Sequence, residues 1–90
     1  MANSKIKIEV FSAPVCRKCI KTFRLVETVV SELQNDSIEL RKVDIVEELD
    51  YAIELGLRAT PAITINGKLV FTATPTHSDL RVAIQSQLSS

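Results

Sequence analysis

Residues 6–19 have the sequence Ile-Lys-Ile-Glu-Val-Phe-Ser-Ala-Pro-Val-Cys-Arg-Lys-Cys, and this stretch decides how the chain folds. Its first half alternates apolar and polar residues, which is typical of a β-strand with one buried face. Pro14 interrupts the strand, and apolar residues recur every three or four positions from Arg17 onward, which predicts a long amphipathic helix. The pair Cys16 and Cys19 therefore lies where a strand gives way to a helix.

The rest of the chain continues to alternate between strand and helix patterns. The predicted elements are strands at 5–11 and 38–43, a helix from 17 that ends within 34–37, a short helix that stops at Gly56, strands at 62–65 and 68–71, and a last helix after Thr76. Asn66-Gly67 is the dipeptide best suited to a type I′ hairpin between the last two strands. Capping-box spacing occurs at Asp44 with Glu47 and at Thr76 with Asp79.

The element order β-α-β-α-β-β-α restricts the topology. A β-α-β start requires parallel strands with a right-handed crossover, and a closing hairpin adds antiparallel strands to the same sheet. We therefore expect residues 1–90 to form one α/β domain, with a mixed four-stranded sheet flanked by three helices. Lys5, Lys7 and Glu9 fit this topology less well, because they occupy the second face of a central strand. We expect their stems to reach the edge of the sheet.

The bulk composition excludes several classes of partner. Eleven Lys and Arg balance eleven Asp and Glu, and 46% of the residues are hydrophobic. A neutral chain has no basic field with which to hold nucleic acid or an anionic membrane. No apolar run approaches the roughly 18 to 20 residues that span a bilayer, and the first residues carry no export signal. We therefore expect a cytoplasmic protein without nucleic-acid or membrane partners.

The cysteine pair has the pattern of a redox centre. At the start of a helix, free backbone N–H groups and the helix dipole stabilise Cys16 as a thiolate, and Arg17 and Lys18 add positive charge. Cys19 follows one turn later on the core-facing side, within reach of a disulfide and less accessible than Cys16. We therefore expect Cys16 to attack disulfides and Cys19 to resolve the mixed disulfide.

Metal binding is the rival interpretation of this pair. One Cys-x-x-Cys supplies two of the four ligands that a structural zinc site needs, and His77 is the only histidine. Two chains together could supply four cysteines to zinc or to an iron–sulfur cluster. The ligand count within one chain favours a redox pair with no metal or other cofactor. We expect His77 to be a solvated residue of the last helix.

Thr60-Pro61 stands directly before a predicted strand. Proline cannot donate a ladder hydrogen bond, so this position indicates a bend at which a cis bond is allowed. A cis Pro61 would leave the backbone of Thr60 free to pair with an extended substrate beside Cys16. Alone, the dipeptide is more typical of an ordinary turn. Together with Cys-x-x-Cys in this element order, it indicates a substrate-binding turn.

The sequence resembles the small, glutaredoxin-sized thioredoxins over nearly its whole length. The resemblance is carried by residues 11–19, 59–63 and 65–69 in this order. It implies a thioredoxin fold with Cys16 as nucleophile, Cys19 as resolving thiol and a cis-Pro61 that faces them. The residues expected to support the pair or bind substrate are Pro14, Val15, Arg17, Lys18, Thr60 and Pro61.

The sequence also departs from the family pattern at the redox pair. Arg-Lys replaces the Gly-Pro of typical thioredoxins and the Pro-Tyr of typical glutaredoxins, and the extra charge should make the pair more oxidising than a Gly-Pro version. Thioredoxins place a buried acid six residues before the nucleophile, where this chain has Val10. Proton transfer at Cys19 must then use water or another group such as Glu9 or Asp44.

Glutaredoxins bind glutathione partly through a Gly-Gly and Asp motif, where this chain has Ala-Thr-Pro-Thr at 73–76. The resemblance therefore implies a monomeric thiol-disulfide oxidoreductase that reduces client proteins and is recharged by a thioredoxin-reductase-like flavoenzyme. The alternatives are a glutathione-dependent glutaredoxin and a redox-inert or metal-bridging binding module of the same fold.

Overall fold

The computed structural model describes residues 6–88 and has the predicted element order. The elements are β1 (Ile6–Ser12), α1 (Arg17–Leu33), β2 (Ile38–Asp44), α2 (Leu49–Glu54), β3 (Ala62–Ile65), β4 (Lys68–Phe71) and α3 (His77–Leu88). The predicted bounds of β3 and β4 are confirmed residue by residue, and the other elements end within a few positions of their predicted limits. Within residues 6–88, no helix is long and apolar enough to cross a membrane.

The four strands form one mixed sheet, as predicted, and their order is β2-β1-β3-β4. β1 is parallel to β2, and β3 is antiparallel to both β1 and β4. Asn66 and Gly67 have φ values of 54° and 80°, as a type I′ turn between β3 and β4 requires. Because β1 and β2 end together, Ser12 lies opposite Asp44 at the edge of the sheet where α1 begins.

The sheet is covered on both faces. The core shared with α1 and α3 contains the expected apolar face of β1 and consists of Ile6, Ile8, Val10, Val26, Val29, Ile63, Ile65, Leu80 and Ile84. On the other face, Phe11, Val43 and Ala62 pack against Tyr51 of α2 and against Leu55, which follows this helix. The two faces of β1 therefore both lie against helices, as expected of a central strand.

The buried face of α1 is rotated slightly from the predicted one. The three- and four-residue spacing predicts a buried face that consists of Cys19, Phe23, Val26, Val30 and Leu33. In the structure, Thr22 and Val29 are buried together with Cys19 and Val26, whereas Phe23 is only partly buried. Thr22 can be buried because its hydroxyl donates to the Lys18 carbonyl at 2.8 Å and shares a hydrogen bond with Thr74. A prediction of the buried face from apolar residues alone misses a polar residue whose hydroxyl has hydrogen-bond partners of this kind.

The expectation that the stem of Glu9 reaches the edge of the sheet is wrong. Its side chain is 1% exposed, and its carboxylate accepts hydrogen bonds from Arg41 at 2.7 Å and from the hydroxyl of Tyr51. Arg41 lies opposite Glu9 on β2, so a partner is in place and the carboxylate can be buried. Lys7 is exposed, and Lys5 lies outside the described residues.

The end of α2 follows its sequence signal. Gly56 has a φ of 79° directly after the C-cap residue Leu55. Its N–H donates to the Ile53 carbonyl at 3.0 Å, and the Leu57 N–H donates to the Ala52 carbonyl at 3.1 Å. This pair of hydrogen bonds is a Schellman motif, which favours glycine at the left-handed position.

The two predicted capping boxes have different outcomes. At α3, the N–H of Asp79 donates to Oγ1 of Thr76 at 3.0 Å, so the predicted side-chain cap forms. At α2, the predicted cap is wrong because Asp44 is the last residue of β2 and its Oδ1 accepts from the Val46 N–H at 2.8 Å. Because of this turn, α2 begins only at Leu49, and the Asp44 carboxylate stays at the end of the strand.

Candidate functional site

The two cysteines lie at the start of α1 and form a disulfide with a Cα–Cα distance of 5.3 Å. Cys16 is the N-cap of α1, and its Sγ accepts a hydrogen bond from the Cys19 N–H at 3.2 Å. Cys19 is 2% exposed, whereas Cys16 is half-buried. The geometry thus separates an accessible sulfur at the helix end from a buried sulfur one turn later.

The charges around Cys16 favour its thiolate form in the reduced protein. Arg17 and Lys18 are exposed residues of the first turn of α1. Together with the unpaired N–H groups at the helix start, they provide a positive environment at the Cys16 sulfur. Such an environment favours the thiolate form of a cysteine, which is the form that attacks disulfides.

Pro14 and Val15 form the turn that places Cys16 at the start of α1. Val15 has a φ of 59°, which β-branched residues rarely adopt, and its side chain is fully exposed. Backbone strain of this kind persists only where the surroundings impose it. Here the turn must connect the buried end of β1 to a half-buried sulfur at the N-cap.

The segment before β3 lies against the redox pair. The Thr60–Pro61 peptide bond is cis, and Oγ1 of Thr60 donates to Sγ of Cys16 at 4.0 Å. Pro61 is buried and Thr60 is half-buried. Residues that are more than 40 positions apart in sequence therefore meet at the disulfide, as the sequence pattern predicts.

A cleft of about 530 Å³ opens beside the disulfide. Its lining includes both cysteines, Ser12 and Ile20. The charged residues that line the cleft are Arg17, Lys42, Asp44, Glu47 and Glu48. The lining of the cleft thus contains both cysteines and charged side chains of both signs.

Sequence reasoning missed Ser12 and Lys42 as parts of this cleft, and it gave Asp44 only as a helix cap or proton acceptor. The missing signal is the register of β1 and β2, which places Ser12 beside Asp44. The carboxyl ends of adjacent parallel strands are a common location for functional residues. A smaller cleft of about 290 Å³ lies beyond Thr60, against α2.

Glu9 belongs to a different cluster, which is buried against α2. Hydrogen bonding to Glu9, together with burial, raises the pKa of Tyr51 to about 12. Hydrogen bonds to Glu48 and Glu9 raise the pKa of Arg41. The phenol therefore stays neutral and the guanidinium stays charged, so that Glu9 is held between them. This cluster connects β1, β2 and α2.

His77 is the first residue of α3, and its Nε2 lies 2.8 Å from Oε1 of Glu32 on the protein surface. It takes no part in the cysteine site. In the part of the chain from 6 to 88, no three His, Cys, Asp or Glu side chains are arranged to hold a metal ion.

Comparisons with known proteins agree with this geometry. Residues 5–85 match the family model described as a thioredoxin domain. The thioredoxin of Methanocaldococcus jannaschii is 39% identical over 85 residues, which cover 94% of this chain and 99% of that protein. A probable thioredoxin of Methanothermobacter thermautotrophicus is 37% identical over 83 residues, which cover 92% of this chain and 96% of that protein.

Solved structures show the same fold. A thioredoxin of Malassezia sympodialis has a TM-score of 0.75 and 26% identity, and the match covers 93% of this chain and 76% of the other. Thioredoxin-2 of the malaria parasite has a TM-score of 0.76 and 19% identity, and covers 91% of this chain and 82% of the other. The named relatives are thioredoxins, so the glutaredoxin alternative is not favoured. The chain belongs to the thioredoxin family and is a thiol-disulfide oxidoreductase with a Cys16–Cys19 pair.

Proposed function

We propose that the protein reduces disulfides of client proteins, with Cys16 as the nucleophile and Cys19 as the resolving thiol. The observation that carries this assignment is the difference in exposure between the two sulfurs. Cys16 is half-buried at the helix N-cap, whereas Cys19 is 2% exposed. Of the two cysteines, Cys16 is therefore the one more open to a client that approaches from solvent.

The exchange has two steps. The Cys16 thiolate attacks one sulfur of the client disulfide, the client S–S bond breaks, and the other client sulfur leaves as a thiolate. Cys19 then loses its proton and attacks Cys16, which releases the remaining client sulfur and forms the Cys16–Cys19 disulfide. Two electrons pass from the protein to the client, and the Cys19 proton passes to a released client sulfur.

The neighbouring residues supply the client contacts. A client strand that pairs with the backbone at Thr60, beside the cis Pro61, would present its sulfur to Cys16. Pro14 and Val15 border the same site, and the full exposure of Val15 favours contact with an apolar client residue. Arg17 and Lys18 support the thiolate.

The working cycle also needs a reductant. We infer that a thioredoxin-reductase-like flavoenzyme regenerates the dithiol, because the relatives are thioredoxins and 73–76 lacks a glutathione motif. We further propose that residues 1–90 act as one domain and as a monomer in the cytoplasm, without a cofactor beyond the redox disulfide. The zero net charge supports the absence of nucleic-acid and membrane partners.

Two cysteine variants test the mechanism. Cys16→Ser is expected to abolish insulin reduction in an assay that is driven by a thioredoxin reductase, because the attacking sulfur is gone. Cys19→Ser is expected to accumulate a covalent complex with the client, visible on a non-reducing gel and dissolved by dithiothreitol. Wild-type turnover by Cys16→Ser, or a covalent client complex on Cys19 in Cys16→Ser, would contradict the assignment.

The recharging partner is tested with the same substrate. We expect turnover with NADPH and thioredoxin reductase, and much slower turnover with glutathione and glutathione reductase. The reverse order would favour a glutathione-dependent role.

A further inference from the structure

The resolving thiol Cys19 needs a proton acceptor. A thiol must ionise before it attacks a disulfide, and apolar surroundings oppose that ionisation. Cys19 is 2% exposed and lines the cleft, so a proton leaves its sulfur by way of the cleft and not directly to bulk solvent. Val10, six residues before Cys16, is fully buried in the core shared with α1 and α3 and carries no titratable group. The acceptor must therefore come from another element.

Asp44 lies where such an acceptor is needed. It lines the same cleft as Cys19, at the end of β2 and opposite Ser12. Its Oδ1 is held by the Val46 N–H at 2.8 Å, which fixes the short side chain. Its Oδ2 accepts no hydrogen bond from the residues that the structure describes. Asp44 therefore combines a fixed position with a free oxygen.

The other carboxylates are less suited to this role. Glu9 does not line the cleft, and its two oxygens are occupied by Arg41 and Tyr51. Both oxygens of Glu48 are bound by Nη2 of Arg41, at 2.7 and 2.5 Å. Glu47 also lines the cleft, but it is exposed to solvent.

We propose that Asp44 accepts the proton of Cys19, through water in the cleft, during resolution of the mixed disulfide. This inference rests on the proposed roles of Cys16 and Cys19. The proton moves from Cys19 Sγ to the Asp44 carboxylate as the Cys19 sulfur attacks Cys16 and the bond between Cys16 and the client breaks. Asp44 then returns the proton to the released client thiolate or to water.

The other charged side chains of the cleft contribute to the electrostatic potential at Asp44. Arg17 from α1 and Lys42 from β2 are the cations, while Glu47 and Glu48 from the segment before α2 are the anions. The lining of the cleft thus carries two positive and two negative side chains besides Asp44. Arg41, which binds Glu48, offsets part of the negative charge.

The test separates the two chemical steps by stopped-flow mixing of the reduced protein with an activated aromatic disulfide. Attack by Cys16 releases the first coloured thiol, and resolution by Cys19 releases the second. Asp44→Asn keeps an oxygen for the Val46 N–H, so the turn at the end of β2 is preserved. We expect an unchanged first phase and a second phase that is slower by about 10-fold to 100-fold at pH 7.

The pH dependence distinguishes proton transfer from a structural effect. The difference between wild type and Asp44→Asn should shrink as the pH rises, because the Cys19 thiol then ionises without help from a carboxylate. Asp44→Glu should restore part of the second-phase rate. Asp50→Asn is the control, because it removes an acidic charge from the first turn of α2 without altering the cleft.

Four outcomes would overturn the proposal. They are an unchanged second phase in Asp44→Asn, an equal slowing of both phases, a slowing that persists at high pH, and an equally slow second phase in Glu9→Gln. Loss of both phases in Cys16→Ser, together with a normal second phase in Asp44→Asn, would leave the oxidoreductase mechanism intact and reject only Asp44.

Discussion

The environment of Cys16 combines two sources of positive potential. One is the start of α1, where Cys16 is the N-cap, and the other is the pair of exposed cations Arg17 and Lys18. The helix contribution is fixed by the fold, whereas the cations belong to the sequence of this chain. Stabilising the thiolate stabilises the reduced protein, so the two cations should raise the reduction potential.

Replacing Arg17 and Lys18 by glutamine should therefore make the pair more reducing. An exposed charge contributes about 0.2 to 1 kcal/mol, which corresponds to about 5 to 20 mV per charge for a two-electron couple. Equilibration with glutathione or dithiothreitol buffers measures the potential. The shift should shrink at high salt, because salt screens exposed charges.

Lys68→Gln is the matched control for this prediction. Lys68 starts β4 beside the hairpin, whose Asn66 contacts Lys7 at the beginning of β1, so it lies at the far end of the sheet from Cys16. The control should leave the potential unchanged. An equal shift in the control, or a higher potential in the double variant, would contradict the local electrostatic explanation.

At the scale of elements, the Glu9 cluster attaches α2 to the sheet. Tyr51 on α2 donates to Glu9 on β1, and Arg41 on β2 binds both Glu9 and Glu48. The pKa of Tyr51 is raised to about 12 in the folded protein. The contribution of this hydrogen bond to stability is therefore fully present below about pH 10, the ordinary pKa of tyrosine, and is lost as the pH rises towards 12.

Ultraviolet titration tests this prediction cleanly, because the chain has one tyrosine and no tryptophan. The tyrosinate signal should have a midpoint near pH 12 in the folded protein and near 10 in urea. In Tyr51→Phe, the unfolding free energy should no longer fall between these two pH values, because the phenol that titrates is absent. A folded-state midpoint near 10 would show that Tyr51 is not held by Glu9.

The sequence predicts elements whose signals are local and misses features that depend on neighbours across the sheet. The hairpin strands and the Gly56 stop depend on nearby residues, and both are confirmed. The burial of Glu9 depends on Arg41, which is 32 positions away. The cleft around Asp44 likewise depends on strand register, which periodicity alone does not give.

At the scale of the whole molecule, the two inner strands should be the most stable part of the fold. β1 is hydrogen-bonded to β2 and β3, and β3 is hydrogen-bonded to β1 and β4. By contrast, α2 has six residues, and its Leu49 and Ile53 are 55% and 63% exposed. Little apolar burial opposes the local opening of such a helix.

Native-state hydrogen exchange should therefore be slowest at 8–11 and 62–65 and clearly faster in α2. Tyr51→Phe should speed exchange in α2 while leaving the inner strands nearly unchanged, because it removes the bond between α2 and β1. Exchange in α2 that is as slow as in β1 would contradict this order of stability.

The cleft beside the disulfide also has a consequence for inhibitor design. Its volume of about 530 Å³ lies within the range of small-molecule sites. It contains the accessible sulfur of Cys16 as well as Asp44, the residue that we propose to accept the proton of Cys19. A compound that fills the cleft and carries an electrophile would modify the sulfur covalently and cover the carboxylate. One ligand would then block both steps of the exchange.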